Sequence, residues 1–210
     1  MSGRPIALIG LRGSGKSSLA PVLAARLGRG SADLDERLAE LAAERGLVES
    51  GAGAGRVLAV VGEPLFRQLE VEALGQTLRN ERALVLACGG GVVESEGARR
   101  LLARSTDAIW LDPPLGVLVG RLRAEPGDRP PLLGLGDAAD ELVALDRRRR
   151  PWFEAVARLR CPTAGPVPEL ADALVRALRE TDGEVSLGIE RQRPADHHMS
   201  SSETDRESSP

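Results

Sequence analysis

The chain has 210 residues, a net charge of -3 at pH 7 and 42% hydrophobic residues, which suits one α/β domain with a full core and is too short for two of ordinary size. No apolar run approaches the ~18 residues that a membrane span needs, and outside residues 147–150 no basic block points to nucleic acid. The N-terminus leads straight into a short apolar run with no signal-like segment, so a cytoplasmic protein without membrane or nucleic-acid partners is expected.

Residues 5–9 form a continuous apolar run that predicts a strand buried on both faces of a parallel sheet. Gly10-Leu11-Arg12-Gly13-Ser14-Gly15-Lys16-Ser17 follows and fits G-x-x-x-x-G-K-[ST] at every fixed position. Such a loop turns tightly at its glycines and aims successive N–H groups at phosphate oxygens, beside a helix N-terminus whose dipole favours anions. Gly13, Ser14, Gly15, Lys16, Ser17 and Ser18 are therefore candidate nucleotide-binding residues, with Lys16 at the terminal phosphates and the Ser17 hydroxyl on magnesium. Of the 28 basic residues only Lys16 is a lysine; a compact ammonium fits a tight phosphate loop where a planar guanidinium does not. The competing reading is a chance glycine-rich turn. Leu19, Val22, Leu23 and Leu27 then recur at helical spacing, and Gly28 supplies the stop.

Residues 31–35 predict a second strand ending in Asp33-Leu34-Asp35, with both carboxylates on one side about 6.6 Å apart; an N-cap and its neighbour is the alternative. A helix over 36–45 and a flexible glycine-rich loop over 46–56 follow. Residues 57–79 read as mostly helical, with Leu65, Leu69, Val71 and Leu74 on the buried face. A strand over 83–88 runs into Gly89-Gly90-Gly91. Three glycines cost backbone entropy, which a ligand approaching the main chain would explain; a plain tight turn is the alternative.

Helices over 94–103 and 115–124 flank a strand at 107–111. Residues 125–136, rich in glycine and proline, suit a mobile lid. A long helix over 137–156 with an interruption near Pro151, a short strand at 159–161 and a closing helix over 169–179 complete the pattern. The expectation is a three-layer α/β sandwich: a five-stranded parallel sheet with helices on both faces, one domain over 1–180, and a disordered polar tail over 181–210. Cys88 and Cys161 read as free buried thiols. Both histidines, His197 and His198, lie in the tail, which excludes histidine triads and histidine metal sites from the domain.

Taken in order, these landmarks resemble the shikimate kinases, a P-loop family of the nucleoside-monophosphate-kinase-like group. The resemblance rests on Walker A at 10–18, Asp33-x-Asp35, Gly62-Glu63-x-x-Phe66-Arg67, Ala87-Cys88-Gly89-Gly90-Gly91, Arg129-Pro130 in the lid and Arg149-x-Pro151. It implies transfer of the ATP γ-phosphoryl group to the 3-hydroxyl of shikimate, with ATP and Mg2+ as cofactors and a monomeric enzyme. It further implies that Asp35 contacts ring hydroxyls and accepts the hydroxyl proton, that Asp33 helps hold magnesium, and that Arg67 and Arg149 grip the substrate carboxylate. Gly90, with its neighbours Gly89 and Gly91, matches a main-chain contact to substrate, and Arg129 the lid arginine that closes on the phosphates. A lid-base arginine that packs on adenine matches either Arg121 or Arg123.

The chain departs from the family in a longer spacing between Asp35 and Arg67, with the excess in residues 46–56. Taken by itself, Arg67 is also placed for surface pairs with Glu63 and Glu70, worth a few tenths of a kcal/mol. Arg149 sits in a four-arginine run of the kind that usually forms a solvated face. Two other readings compete: a gluconate-type metabolite kinase, and a non-catalytic sensor on the same fold.

Overall fold

The computed structural model describes residues 3–124, 138–162, 164–179 and 188–192. Five short strands, β1 (Ile6–Ile9), β2 (Gly30–Asp33), β3 (Leu84–Ala87), β4 (Asp107–Leu111) and β5 (Leu159–Cys161), pair in parallel in the order β2-β3-β1-β4-β5. Among the described residues seven α-helices connect or flank them: α1 (Lys16–Leu27), α2 (Leu34–Glu44), α3 (Ala54–Asn80), α4 (Glu96–Ser105), α5 (Leu115–Ala124), α6 (Ala138–Val156) and α7 (Val167–Arg179).

The central strands β1 and β3 are wholly apolar and buried, as is β4 after Asp107, because both faces are covered, and their period of two sorts the side chains. Ile6 and Leu8 of β1 and Ile109 and Leu111 of β4 face a core made with Leu19 and Leu23 of α1 and Leu170 and Leu174 of α7. Ala7, Ile9, Ala108 and Trp110 point the other way, into a core with Leu38, Leu69, Leu74, Leu102 and Phe153. Phe153 and Trp110, both buried, stack with ring centroids 5.7 Å apart. The three-layer arrangement is thus as the sequence pattern predicts.

Four details differ. A sixth strand, β6 (Glu190–Arg191), pairs antiparallel with β5, so the sheet is six-stranded and mixed at that edge. Residues 188–192 therefore belong to the folded unit rather than to a disordered tail. The polar composition hides one apolar anchor, Ile189, which is buried in the α1–α7 core, and Arg160 pairs with Glu190 at 2.9 Å. The other residues of 181–210 lie outside those described.

Second, β2 ends at Asp33, and Asp33 and Asp35 do not share a strand. Asp33 caps α2 by accepting a hydrogen bond from the Asp35 N–H at 2.9 Å, which starts the helix earlier than expected. Third, α3 begins at Ala54, inside the predicted glycine loop, and is broken at Gly62 (φ 74°, ψ 164°). That positive φ is one that only glycine adopts without strain, and it re-aims the second half of the helix, which carries Arg67. Fourth, α6 runs through Pro151 without interruption, its inward face held by buried Leu142, Leu145, Arg149 and Phe153. The predicted lid lies outside the described residues.

A chain truncated after Glu180 loses the burial of Ile189. Its Tm falls by about 4 °C or more, from ~2 kcal/mol of apolar burial; calorimetry of the two chains checks this.

Candidate active site

β1 and β3 are neighbours at the centre of the sheet, and the loops leaving their carboxyl ends meet across the crevice where open α/β sheets bind ligands. In the first loop, Gly13 (φ 79°) and Gly15 (φ 91°) turn the chain into α1, and Gly15 offers that helix no side-chain cap. The first-turn N–H groups thus suit an external anion. Lys16 is buried, and its ammonium donates to the Gly10 carbonyl (3.0 Å), the Leu11 carbonyl (2.8 Å) and Ser14 Oγ (3.1 Å). Arg121 extends over the loop and donates to the Gly13 carbonyl at 2.9 Å.

Asp33 joins the end of β2 to this loop. Its Oδ1 caps α2, and its Oδ2 accepts from the Ser17 hydroxyl at 2.8 Å. One hydroxyl and one carboxylate oxygen are therefore paired where a divalent cation beside a phosphate would sit. Among the described residues no cluster of three or more acidic, histidine or cysteine ligands forms. Ser17 and Asp33 fit a magnesium ion that draws its remaining oxygens from phosphate and water.

The three glycines after β3 each make room for a different group. A Cβ on Gly89 would lie 2.8 Å from Asp35 Oδ1, one on Gly90 would lie 3.1 Å from the Arg12 backbone nitrogen, and one on Gly91 would lie 2.5 Å from the Arg67 guanidinium. The protein's own carboxylate, loop backbone and guanidinium fill the space that side chains here would take, while the backbone of Gly89 and Gly90 lines the cleft.

Arg67 and Arg149 meet behind this turn. Arg67 donates to Glu70 and Glu94, each at 3.0 Å, and lies 3.5 Å from Glu63. Arg149, only 3% exposed, donates to Glu94 Oε1 at 3.0 Å and to the Gly90 carbonyl at 3.1 Å. Arg67 makes the expected pairs with Glu63 and Glu70, but it is largely buried and also joins Glu94, so it is more than a surface pair; the solvated-face reading of Arg149 fails. The arginine run splits by helical period: Arg147 and Arg148 are exposed, Arg149 is buried, and Arg150 pairs with Asp112 and Asp146 while lying 4.9 Å from the Trp110 ring centre.

Glu94 was not singled out in the sequence, although an acid directly after the apolar Val92-Val93 pair was a usable signal. It ends a short 3-10 turn, its side chain is 8% exposed, and it bridges both guanidiniums. Burial pushes its pKa up, but Arg149, Arg67 and Arg148 outweigh this and hold it below the ordinary value of 4.5. Burial, followed by the neighbouring Glu70 charge, raises the pKa of the Cys88 thiol, leaving it protonated and inert at the floor of the crevice.

A cleft of about 890 Å³ is lined by Gly13, Gly15, Lys16, Ser17, Ser18, Asp33, Asp35, Gly89 and Gly90, together with Arg12, Arg121 and Val167. Of the two lid-base candidates, Arg121 lines it and Arg123 does not. Gly53, Ala54, Gly55 and Arg56 line it too, so the extra residues between Asp35 and Arg67 form one wall. Arg67, Gly91 and Arg149 sit beyond this lining. Arg129 lies outside the described residues.

A family model described as shikimate kinase matches residues 12–179. A shikimate kinase from Gloeobacter violaceus is 36% identical over 178 residues, covering 85% of this chain and 94% of that protein. One from Symbiobacterium thermophilum is 33% identical, covering 83% and 96%. Among solved structures, a shikimate kinase from Acinetobacter baumannii in complex with shikimate superposes with a TM-score of 0.72 at 26% identity, covering 84% of this chain and 93% of that one.

Because the Glu94 pKa is depressed, its stabilising contribution is complete above the unfolded value near 4.5 and is lost as the pH falls through the lower folded value. Glu94→Gln therefore lowers the Tm at pH 7 by about 5 °C or more. The gap to the wild-type chain closes below pH 4.5, as read by thermal melts across pH.

Proposed function

Since the chain belongs to the shikimate kinase family, we infer that it transfers the γ-phosphoryl group of ATP to the 3-hydroxyl of shikimate, giving shikimate 3-phosphate and ADP. One observation carries the reading furthest. The phosphate loop and Asp35 line one crevice, and the turn at Gly89–Gly91 packs directly on Arg67, while Arg149 donates to the Gly90 carbonyl just behind that crevice, which supports a nucleotide and a hydroxylated acid bound side by side.

Phosphoryl transfer needs alignment and charge neutralisation more than strong base catalysis. Lys16 neutralises the terminal phosphates from the centre of its loop, and the N–H groups of Gly13 to Ser18 orient them. Ser17 and Asp33 would hold magnesium, which when bound would neutralise charge on the phosphate oxygens. Asp35, half-buried in the first turn of α2, takes the proton of the reacting hydroxyl. Arg67 and Arg149 orient the acid through its carboxylate, with the Gly89–Gly91 backbone against the ring. Arg121 contacts the nucleotide at the lid base, and Arg129 closes on the phosphates from the lid. All of these groups come from one chain, which acts as a monomer. Among the described residues no helix is long and apolar enough to cross a membrane.

A coupled ADP-release assay tests the activity: turnover depends on shikimate at saturating Mg-ATP and is absent with gluconate or nucleoside monophosphates. No shikimate-dependent turnover would overturn the reading. Lys16→Met lowers kcat at least a hundredfold. Arg149→Lys keeps the charge but loses the fork, and raises the KM for shikimate about tenfold with a smaller change in kcat.

A further inference from the structure

We propose that Glu94 is a resident carboxylate occupying the anion seat between Arg67 and Arg149 in the free protein, and that an acidic substrate must displace it, so that Glu94 sets how tightly such substrates bind. This rests on the reading of Arg67 and Arg149 as the grip on the substrate carboxylate.

Both Glu94 oxygens are engaged, Oε2 by Arg67 and Oε1 by Arg149 Nε, each at 3.0 Å. That two-oxygen, two-guanidinium geometry is the one a substrate carboxylate would use. The remaining donors of Arg149 and Arg67 are largely spoken for: Arg149 holds the Gly90 carbonyl and Arg67 holds Glu70. Arg67 Nε is buried with no partner, so the pair is imperfectly served by the groups around it.

The charge balance points the same way. Arg67, Arg148 and Arg149 face Glu63, Glu70 and Glu94, so the seat is already neutral. A further carboxylate would put four acids on three guanidiniums in a poorly solvated place, where like charges repel strongly. Removal of Glu94 from the seat relieves this, and the exposed Arg148, 3.6 Å from Glu94 Oε1, offers a partner on the solvent side. The Glu94 backbone need not move, since its carbonyl is held by Arg99 at 3.1 Å; a side-chain rotation suffices. Glu94 thus stabilises the empty site at the expense of acid binding.

The test compares wild type with Glu94→Gln, which keeps the shape and removes the charge. With wild type, absence of shikimate-dependent ADP release would sink the functional reading itself, whatever Glu94 does. Given that turnover, Glu94→Gln lowers the KM for shikimate threefold or more, with the change in KM rather than kcat, and leaves the KM for the uncharged methyl ester of shikimate within twofold. An unchanged or raised KM for the acid, or an equal fall for acid and ester, overturns the proposal. If the variant does not fold, a crystal structure of the wild-type protein with shikimate decides. The Glu94 carboxylate is expected to have left both guanidiniums, and its retention on both, with the substrate carboxylate elsewhere, is the contrary result.

Discussion

The absence of side chains at Gly89, Gly90 and Gly91 is the constraint from which the rest of the site follows. Here the turn after β3 lies against the backbone of the phosphate loop, against the Asp35 carboxylate and against the Arg67 guanidinium at once. A Cβ at any of the three would push away a different partner. Packing at this density transmits such shifts instead of absorbing them, so the phosphate loop, Asp35 and Arg67 are held in mutual register by one turn. The backbone entropy lost at three glycines is the cost of that register.

Charge is arranged around this turn by a division of labour between the two basic residue types. The sole lysine places a compact ammonium among three loop oxygens, within 3.1 Å of each, where a planar fork would not fit. Arginine serves where several acceptors must be joined. Arg150 and Arg160 both pair with Asp112 at the carboxyl end of β4, and both lie over the Trp110 ring. This cluster ties α6 to the sheet, and with it Arg149, one residue before Arg150. Burial of Arg149 is tolerable because Glu94 and the Gly90 carbonyl accept its hydrogen bonds; without an anion in the place of Glu94, an uncompensated buried charge would remain.

Much of this was legible in the order of residues. The nucleotide loop is a local pattern, and its glycines, lysine and serine act through backbone geometry set within eight residues of chain. The apolar runs of β1, β3 and β4 and the helical spacing of α1 gave the parallel sheet and its two covered faces, because burial on both faces leaves no polar alternation. The resemblance to shikimate kinases, carried by six short motifs, agreed with the family match over residues 12–179. The Arg121 and Arg123 ambiguity was not resolvable from a helix register, whereas the fold lays Arg121 on the phosphate loop.

What the sequence determined by itself was everything that depends on neighbours in the chain: the phosphate loop, the layer order, the buried strands, and the identity of the groups available for chemistry. Only the tertiary structure decided what those groups touch. Asp33 became a cap and a partner of Ser17, half of an arginine run turned inward, Ile189 drew a polar segment onto the sheet edge, and Glu94 took the seat between two arginines. The physical reason is separation: Arg67, Glu94 and Arg149 come from three different elements. A pairing between distant residues is set by how the helices pack on the sheet and leaves no periodic signal along the chain.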